Sequence, residues 1–480
     1  MAGIAGFGAY IPRMRLSRGA VAEAMRWFNP ALTSLAKGER AVAGWDEDAL
    51  TMAVEAARDC LPAGPRTQAK ALTLASTSHP FADRQNSAIV AEALNLPTTL
   101  RAMDVGGSQR AGTSGLIAAF EAAAAGGGPV LVVAAEKREA RPAGAQEMTY
   151  GDGAVAFLVS GEASAARYLG SHSETEDFVD HYRGSDRAFD YAWEERWIRD
   201  EGYLKIVPRT LAALFQKTGV KPASIAHFCM PTALPRVAER IVEICGLPPS
   251  SRRDNLQGQC GETGAAHPLL MLAHALEQAK PGELVLTVGF GQGCDAILIE
   301  AGEGVRPRRG VARALAQGRI ETNYARYLGL AELTPMERGM RSEVDKWTAM
   351  TTLYRNRRML LGMVGGVCAR CGTAQFPKSN VCVNPNCNAV GAQREQPFAE
   401  LPGRVVSYTA DRLTYTPEPP AYYGMVQFDG GGRLMMDFAD VDPATLAVGT
   451  QLRMAFRIKD RDAARGFTRY FWKATPEGAH

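Results

Sequence analysis

Long apolar runs and an imbalance of charge are both missing from this sequence. No run of 18 apolar residues occurs, so no segment is predicted to span a bilayer. The chain has 54 lysine and arginine residues against 51 aspartate and glutamate residues. The resulting net charge of +3 is too small to indicate binding to nucleic acid or to a membrane surface. We therefore expect neither as a partner.

A secretory signal is also missing from the N-terminus. Met1–Tyr10 has no basic segment followed by an apolar one, and its pattern predicts a first strand and turn. Nine cysteines in a chain of 480 residues without such a signal are typical of a reducing cytoplasm. There, thiols serve metal or catalytic roles rather than disulfides. We expect a cytoplasmic protein.

The sequence does contain a regular alternation of strands and helices over residues 1–300. The chain has 46% hydrophobic residues and is long enough for two to four domains. The predicted strands are Ala71–Ser76, Pro129–Ala134, Ala154–Val159 and Leu284–Gly289. The predicted helices are Asn86–Leu94, Thr113–Ala125, Pro235–Cys245 and Ala265–Gln278. This alternation predicts an α/β fold with a largely parallel sheet, covered on both faces.

Two segments of this region share one pattern, in which a helix and a Gly/Pro turn lead into an apolar strand. They are Gly126-Gly-Gly-Pro-Val-Leu-Val-Val and Lys280-Pro-Gly-Glu-Leu-Val-Leu. The similarity favours a duplicated half-domain, with halves at residues 1–165 and 166–302. Residues 170–203 mix acidic and aromatic residues and form a long insertion that is either a lid or an interface element.

The last third of the chain differs from the first part in composition and in its pattern of predicted elements. Residues 303–362 are polar, rich in arginine and partly helical, which predicts a connector. Beyond Cys368, short alternating strands are separated by turn residues and predict a small barrel or sandwich. The predicted strands are Arg404–Thr409, Tyr422–Phe428, Arg433–Phe438 and Gln451–Phe456.

Two thiol pairs separate the connector from these strands. They are Cys368-Ala-Arg-Cys371 and Cys382-Val-Asn-Pro-Asn-Cys387, with ten residues between them. Cys368, Cys371, Cys382 and Cys387 can supply four sulfurs to one structural Zn²⁺, a closed tetrahedral site without an open position for catalysis. The alternative is four free buried thiols. With zinc, the module is expected to lose its shape when the metal is removed.

Several motifs of the first 350 residues resemble one known family. Thr73-Leu-Ala-Ser-Thr-Ser-His-Pro-Phe-Ala, Ala91-Glu-Ala-Leu-Asn-Leu and Ala102-Met-Asp-Val-Gly-Gly-Ser-Gln-Arg-Ala-Gly-Thr resemble the archaeal-type HMG-CoA synthases and the related class III ketoacyl-ACP synthases. Tyr150-Gly-Asp-Gly-Ala-Val-Ala-Phe and Gly289-Phe-Gly-Gln-Gly-Cys are similar to a later strand and a glycine-rich loop of that family. The resemblance implies a thiolase-like layered fold with duplicated halves, an acyl-CoA substrate and a homodimer.

The C-terminal region resembles a second known module. Cys368–Phe376 and Gly403–Asp442 are similar to the zinc-ribbon/OB-fold domain that partners acyl-CoA thiolases and steroid side-chain aldolases. The resemblance implies a zinc ribbon at residues 363–392, an OB-fold barrel at residues 393–480 and the possibility of a thiolase-like partner. An OB-fold can bind nucleic acid, but the chain has no basic stripe to support that role.

The family's catalytic residues are all replaced in this sequence. The resemblance implies a cysteine nucleophile, a glutamate acid/base, and a histidine and an asparagine that bind the thioester oxygen. In that order, the matching positions here are Gln109, Thr77, Thr232 and Glu262. Because glutamine cannot be acylated, condensation through an acyl-enzyme at position 109 is excluded.

The residues that remain predict enolate chemistry, such as a retro-aldol cleavage or a decarboxylation. The amide of Gln109 and the backbone N–H groups around Gly291 and Gly293 are expected to form an oxyanion hole. Glu262 is the first candidate acid or base and His267 the second. Two further residues, Ser108 and His79, are expected to contact substrate.

Other interpretations of the same residues stay open. Cys294 or Cys260 is a possible displaced nucleophile for a condensing acyltransferase, and Cys294 is alternatively a small buried apolar residue. Glu262 is alternatively a helix N-terminal acid, and His267 a packing or capping residue. A further interpretation is that the chain binds acyl-CoA without catalysis and acts as a scaffold for a thiolase partner.

Overall fold

The structure is a computed structural model that describes residues 2–61, 66, 68–162, 164–303, 307–337 and 346–477. Residues 304–306 and 338–345 of the predicted connector, and residues 478–480 of the predicted barrel, lie outside these ranges. None of the helices within them has both the length and the apolar character needed to cross a bilayer.

The first 301 residues form the larger α/β unit. Its strands are β1 (Gly3–Tyr10), β2 (Met14–Ser17), β3 (Glu39–Val42), β4 (Ala71–Ala75), β5 (Arg101–Val105), β6 (Val130–Glu136), β7 (Gly153–Ser160), β8 (Ala166–Thr175), β9 (His181–Tyr182), β10 (Tyr191–Ala192), β11 (Ile225–Cys229), β12 (Leu284–Phe290) and β13 (Gly293–Ala301). Its α-helices are α1 (Arg18–Met25), α2 (Ala49–Cys60), α3 (Asn86–Ala93), α4 (Ala111–Ala124), α5 (Ala145–Thr149), α6 (Glu195–Trp197), α7 (Leu204–Thr218), α8 (Val237–Ile244), α9 (Gln257–Cys260) and α10 (His267–Gln278). The predicted strands and helices listed above match elements of this set to within a few residues.

The duplication predicted from the two Gly/Pro turns is visible in the strand order. The main sheet runs β11-β12-β13-β8-β1-β7-β6-β4-β5 within the described residues. In each half the first strand (β1 or β8) pairs with the last (β7 or β13), which pairs with the strand before it (β6 or β12). The two strands that follow the Gly/Pro turns, β6 and β12, therefore occupy equivalent places. The halves meet where β1 pairs with β8.

The expectation of a largely parallel sheet is wrong, because most neighbouring strands run antiparallel. Parallel pairing joins β4 to β5, β4 to β6, and β11 to β12, while the remaining neighbours in this sheet are antiparallel. The cause is that the chain reverses direction before the last strand of each half, which pairs antiparallel with the strand before it. Only Gly291 and Gln292 separate β12 from β13, and a connection this short permits a hairpin but no parallel crossover.

The central strands are buried on both faces, which explains their uninterrupted apolar sequences. Alternate residues of β6 and β7 pack with α2 on one face and with α4 and α10 on the other. This arrangement brings the N-terminus of α4 against the turn that precedes α10. The contact needs a glycine, since a Cβ at Gly112 would lie 2.2 Å from the Ala265 carbonyl oxygen.

The C-terminal part contains the connector and two small β-units. Its elements are α11 (Gly310–Ala316), β14 (Arg319–Glu321), α12 (Tyr324–Leu330), α13 (Met350–Arg355), α14 (Arg357–Leu360), β15 (Val364–Cys368), β16 (Ala374–Gln375), β17 (Gln393–Pro397), β18 (Gly403–Asp411), β19 (Ala421–Phe428), β20 (Arg433–Asp437), β21 (Gln451–Asp462) and β22 (Phe467–Pro476). The connector docks on the first unit through parallel pairing of β14 with β2.

The two β-units are antiparallel, as the short strands predict. β15, β16 and β17 form the small sheet that carries the first thiol pair. β18 to β22 form a second sheet in the order β20-β19-β18-β21-β22, and a bridge from Phe438 to Ala474 joins its outer strands towards a barrel. The last strand, β22, is one that the sequence analysis did not identify.

The barrel packs directly on α2 of the first unit. One apolar cluster contains α2 residues together with Phe456 and Trp472 of the barrel. At its centre, the buried Glu55 carboxylate of α2 pairs with Arg58 at 2.7 Å, with Arg453 of the barrel at 2.9 Å and with Arg309 of the connector at 3.6 Å. Burial raises the pKa of Glu55, but these arginines outweigh it and hold the pKa well below its usual range.

We expect the Glu55→Gln substitution to weaken this junction. Removing one partner of a buried ion pair costs about 3–5 kcal/mol, and urea denaturation at pH 7 measures the loss. Because the folded pKa is depressed, the carboxylate's contribution is present above the unfolded pKa of about 4.3 and is lost as pH falls below it. The difference between the two proteins should therefore shrink in acid. Glu23→Gln, which removes an exposed pair with Arg26, is the control, and equal stabilities of all three proteins would contradict the prediction.

Candidate functional site

Gln109 lies directly before α4, at the position where the resemblance implies the nucleophile. Its amide nitrogen is 3.2 Å from His181 Nε2, and its Oε1 is buried and has no hydrogen-bond partner among the described residues. The amide also packs over Gly264, which has φ +54° and where a Cβ would lie 2.6 Å from Gln109 Oε1. Position 264 therefore needs glycine both for its backbone conformation and for the space that the amide fills.

Glu262 faces the same space from the turn before α10. Its backbone N–H donates to Thr149 O at 2.7 Å, which fixes the turn against the end of α5. Its carboxylate forms an ion pair with the buried Arg138 guanidinium. The candidate acid or base is therefore one half of a charge pair rather than an isolated carboxyl.

Arg138 holds a second carboxylate from the insertion. Its Nη2 is 2.8 Å from Asp190, and the guanidinium lies 3.5 Å from the centre of the Tyr150 ring. The Tyr150 hydroxyl in turn donates to Asp190 at 3.0 Å. Arg183 also donates to Asp190, at 2.8 Å, and to the carbonyl oxygen of Thr77. The insertion thus packs across the site and supplies charged groups to it.

Thr77 contacts a carboxylate that the sequence analysis missed. Its backbone N–H and hydroxyl donate to Glu136 Oε1 at 2.7 and 3.0 Å, and the Ser78 hydroxyl donates to Oε2 at 2.6 Å. Glu136 is fully buried at the end of β6, and burial raises its pKa although these hydrogen bonds partly offset the effect. The sequence signal that could have identified Glu136 is an acidic residue at the end of an otherwise apolar strand.

His267 holds the turn that presents Glu262. Its Nδ1 accepts from Thr263 N at 2.9 Å, and its Nε2 lies 2.7 Å from Asn255 O. The ring is fully buried, and burial lowers its pKa, so it is neutral with Nε2–H donating. With both nitrogens engaged, His267 positions the backbone, and we assign it no chemical step.

Thr232 and His79 are two other residues predicted at the site. Thr232 is buried and hydrogen bonded to Tyr203, whose ring stacks on Phe290. Nε2 of His79 is buried without a partner in the described part of the chain, and burial lowers the pKa of this ring.

The hydrogen bonds of the glycine loop differ from those expected for an oxyanion hole. The Ser108 hydroxyl donates to Gly291 O at 2.8 Å, and the Gly291 N–H donates to Gly293 O at 3.0 Å. The backbone N–H of Gly291 is therefore already paired, whereas the Gln109 amide has two N–H bonds, of which one faces His181.

The two thiols proposed as displaced nucleophiles are packed inside the protein. Cys260 and Cys294 have no exposed surface, and burial raises the pKa of each to about 12. A thiol at such a pKa is protonated at neutral pH and is a poor nucleophile. Cys294 packs in the apolar cluster beside α7, which fits its alternative interpretation as a small buried residue.

The four ribbon cysteines converge on one point. Their sulfurs lie within 4.8 Å of one another, with Cys368 to Cys387 at 3.9 Å and Cys371 to Cys382 at 3.6 Å. Sulfurs bonded to one tetrahedral zinc at about 2.3 Å lie about 3.8 Å apart. The donor set and spacing therefore fit a closed zinc site with four thiolate ligands.

A large cavity lies elsewhere, between the first unit and the barrel. It has a volume of about 710 Å³, and Trp45, Tyr422 and Lys473 are among its lining residues. None of the predicted site residues appears among the described residues that line it.

Comparison with solved structures defines the class of fold. The 3-oxoacyl-(acyl carrier protein) synthase III from Pseudomonas aeruginosa superposes with a TM-score of 0.56 at 20% identity, over 63% of this chain and 99% of that one. A structure described as MvaS in complex with 3-hydroxy-3-methylglutaryl coenzyme A gives a TM-score of 0.57 at 22% identity, over 71% and 94%. The first unit therefore has the thiolase-like fold.

Sequence comparison defines the family. The hydroxymethylglutaryl-CoA synthase of Caldivirga maquilingensis is 30% identical over 351 residues, which cover 70% of this chain and 99% of the relative. That of Aeropyrum pernix is 29% identical over 336 residues, covering 68% and 93%. The profile for the C-terminal part of 3-oxoacyl-[acyl-carrier-protein] synthase III matches residues 215–300, and that for the ChsH2 C-terminal OB-fold domain matches residues 396–457. The chain belongs to the hydroxymethylglutaryl-CoA synthase family and carries an additional OB-fold domain.

We expect Cys260 and Cys294 to stay unmodified in the folded protein. Incubation with acetyl-CoA, and separately with iodoacetamide at pH 8, should leave both thiols without an adduct in peptide mass spectra. The reason is their burial and a pKa of about 12. The same protein alkylated in denaturant, where both peptides should be labelled, is the control. An acetyl adduct on either residue would restore the condensing mechanism.

Proposed function

We propose that this protein binds an acyl-CoA thioester and cleaves, or in reverse forms, its Cα–Cβ bond through an enolate. The substrate is a β-hydroxyacyl-CoA, or a β-ketoacyl-CoA whose β-carbonyl first adds water or the thiol of free CoA. The observation that carries the proposal is that Gln109 stands at the start of α4, where the resemblance implies a nucleophilic cysteine. The helix N-terminus is still present there, and the ion pair of Glu262 with Arg138 lies beside it. Support for the acyl-CoA substrate comes from the family, whose curated relatives are named hydroxymethylglutaryl-CoA synthases.

The proposed cleavage of a β-hydroxyacyl-CoA needs no acyl-enzyme and no redox partner. A base takes the proton of the β-hydroxyl, the oxygen forms a carbonyl, and the Cα–Cβ bond breaks. The electron pair of that bond becomes the enolate of the thioester, which is then protonated at Cα. The products are a ketone or aldehyde and a shortened acyl-CoA.

Two features of the site match the charges that develop. The Gln109 N–H lies at the N-terminus of α4, where the helix dipole also favours negative charge, and can hold the enolate oxygen. Glu262 can accept the β-hydroxyl proton, after which Asp190 remains as the carboxylate partner of Arg138. A packing role alone would not require an ion pair between a partly buried carboxylate and a buried guanidinium beside the amide.

The Glu262→Gln substitution tests this assignment. Offered a panel of branched and aromatic β-hydroxyacyl-CoAs, the native protein should release a ketone or aldehyde together with a shortened thioester, followed by liquid chromatography and mass spectrometry. We expect Glu262→Gln to lower kcat about 100-fold, a typical contribution of a general base. Glu283→Gln, which changes a carboxylate paired with His227 at the edge of the sheet, should leave kcat unchanged. If the native protein cleaves none of these substrates, the proposed lyase activity is refuted. If a thiolase co-purifies with the protein and Glu262→Gln leaves the pathway flux unchanged, the result favours a non-catalytic scaffold.

We also propose that Cys368, Cys371, Cys382 and Cys387 hold a structural Zn²⁺. The geometry of their sulfurs supports it, and with all four positions taken the ion would order the ribbon and perform no chemistry. The homodimer and a thiolase-like partner remain predictions from the resemblance.

Removal of the metal provides the test of the ribbon. The purified protein should contain about one zinc per chain by elemental analysis. Treatment with a strong chelator should make the segment from 363 to 397 sensitive to protease, because metal binding and folding are coupled in such modules. Cys382→Ser should lose the metal, whereas Cys245→Ser, outside the cluster, should keep it. Full metal content in Cys382→Ser would exclude the site.

A further inference from the structure

The insertion brings a histidine and an aspartate to the centre of the site. Nδ1 of His181 is 3.1 Å from Asp180 Oδ1, which also accepts from the Gln292 amide at 3.2 Å. The opposite ring nitrogen, Nε2, lies 3.2 Å from the Gln109 amide nitrogen. Because the Gln109 amide nitrogen can only donate, Nε2 accepts from it, and the ring proton lies on Nδ1 beside the Asp180 carboxylate. The lone pair of Nε2 is thus directed at the N-terminus of α4.

The partial exposure of the His181 and Asp180 side chains to solvent also suits proton transfer. The His181 side chain is 19% exposed and that of Asp180 is 14% exposed, so the ring is held by neighbours but can exchange a proton with solvent. By contrast, both Glu136 and His267 are fully buried. Another histidine of the region, His172, pairs with Glu174 at 3.2 Å on the outer part of β8 and forms no contact with Gln109 among the hydrogen bonds of the described residues.

We propose that His181 moves the proton at Cα of the bound thioester and that Asp180 is its positioning residue. This inference rests on the proposed function, in which the Gln109 N–H holds the thioester oxygen. Cα is two bonds from that oxygen, and His181 Nε2 is 3.2 Å from the same amide nitrogen, so the proposal places Cα within reach of this ring nitrogen. The site then has two proton-transfer groups, with Glu262 acting at the β-oxygen and His181 acting at Cα.

The step balances without a further reactant. In one direction the Cα–H bond breaks, its electron pair becomes the enolate, and the proton goes to the lone pair of His181 Nε2. In the other, the same nitrogen returns the proton to Cα. After cleavage of the Cα–Cβ bond, this return converts the enolate into the shortened acyl-CoA.

Hydrogen exchange on a simple thioester tests the proposal without knowledge of the natural substrate. The native full-length chain is incubated with propionyl-CoA in D₂O, and deuterium uptake at Cα is followed by mass spectrometry, with binding measured separately by calorimetry. We expect the native protein to catalyse exchange. His181→Gln should lower the exchange rate more than about 100-fold with the Kd for propionyl-CoA unchanged. His172→Gln is the matched control and should exchange at the native rate.

Three variants separate chemistry from folding and from the β-carbon step. Exchange by His181→Ala should be partly restored by added imidazole, which a purely structural role would not allow. Asp180→Ala should lower the exchange rate while leaving the Kd unchanged. Glu262→Gln should keep exchange but lose cleavage, because its assigned proton is on the β-oxygen.

Each contrary outcome identifies what has failed. If the native protein exchanges and His181→Gln exchanges equally, the assignment of His181 is wrong while enolate chemistry stands. If the native protein binds propionyl-CoA without exchange, His181 is not a base at Cα, and the cleavage assay decides the proposed function independently. If no acyl-CoA binds, both are overturned.

Discussion

One buried guanidinium, that of Arg138, holds together the segments from which the site is built. It follows β6 in the first half, pairs with Glu262 before α10 in the second half, and pairs with Asp190 of the insertion. A cation between them offsets the repulsion of two carboxylates from distant parts of the chain. The positions of Gln109, Glu262 and His181 relative to one another therefore depend on this residue.

The elements of the fold could be predicted because their signals are local. Apolar strands such as Leu284–Phe290 and turns such as Lys280-Pro-Gly contain their own evidence in a few neighbouring residues. Whether neighbouring strands run parallel depends on the path between them, and the two-residue link between β12 and β13 was not recognised as a hairpin. The resulting error concerned the direction of strands and not their existence.

The site could be predicted only in part for the same reason. Gln109 and Glu262 were identified as candidates because the motifs around them survive the replacement of the catalytic residues. Asp180, His181 and Asp190 lie in a segment without periodicity or motif, and their partners Gln292, Gln109 and Arg138 are 112, 72 and 52 residues away along the chain. A sequence shows which residues are chemically able to act. It does not show the hydrogen bonds that occupy both nitrogens of His267, because these depend on the folded path of the backbone around the ring.

The barrel shares the apolar cluster of α2, a helix of which every residue except Arg58 is buried. The resembling zinc-ribbon/OB-fold modules are usually separate subunits, whereas here the module is joined to its partner by the chain itself. Covalent joining turns a bimolecular encounter into an internal one, with an effective local concentration in the millimolar range. Dilution in the cell cannot then separate the two, and their ratio is fixed at one to one by a single translation product.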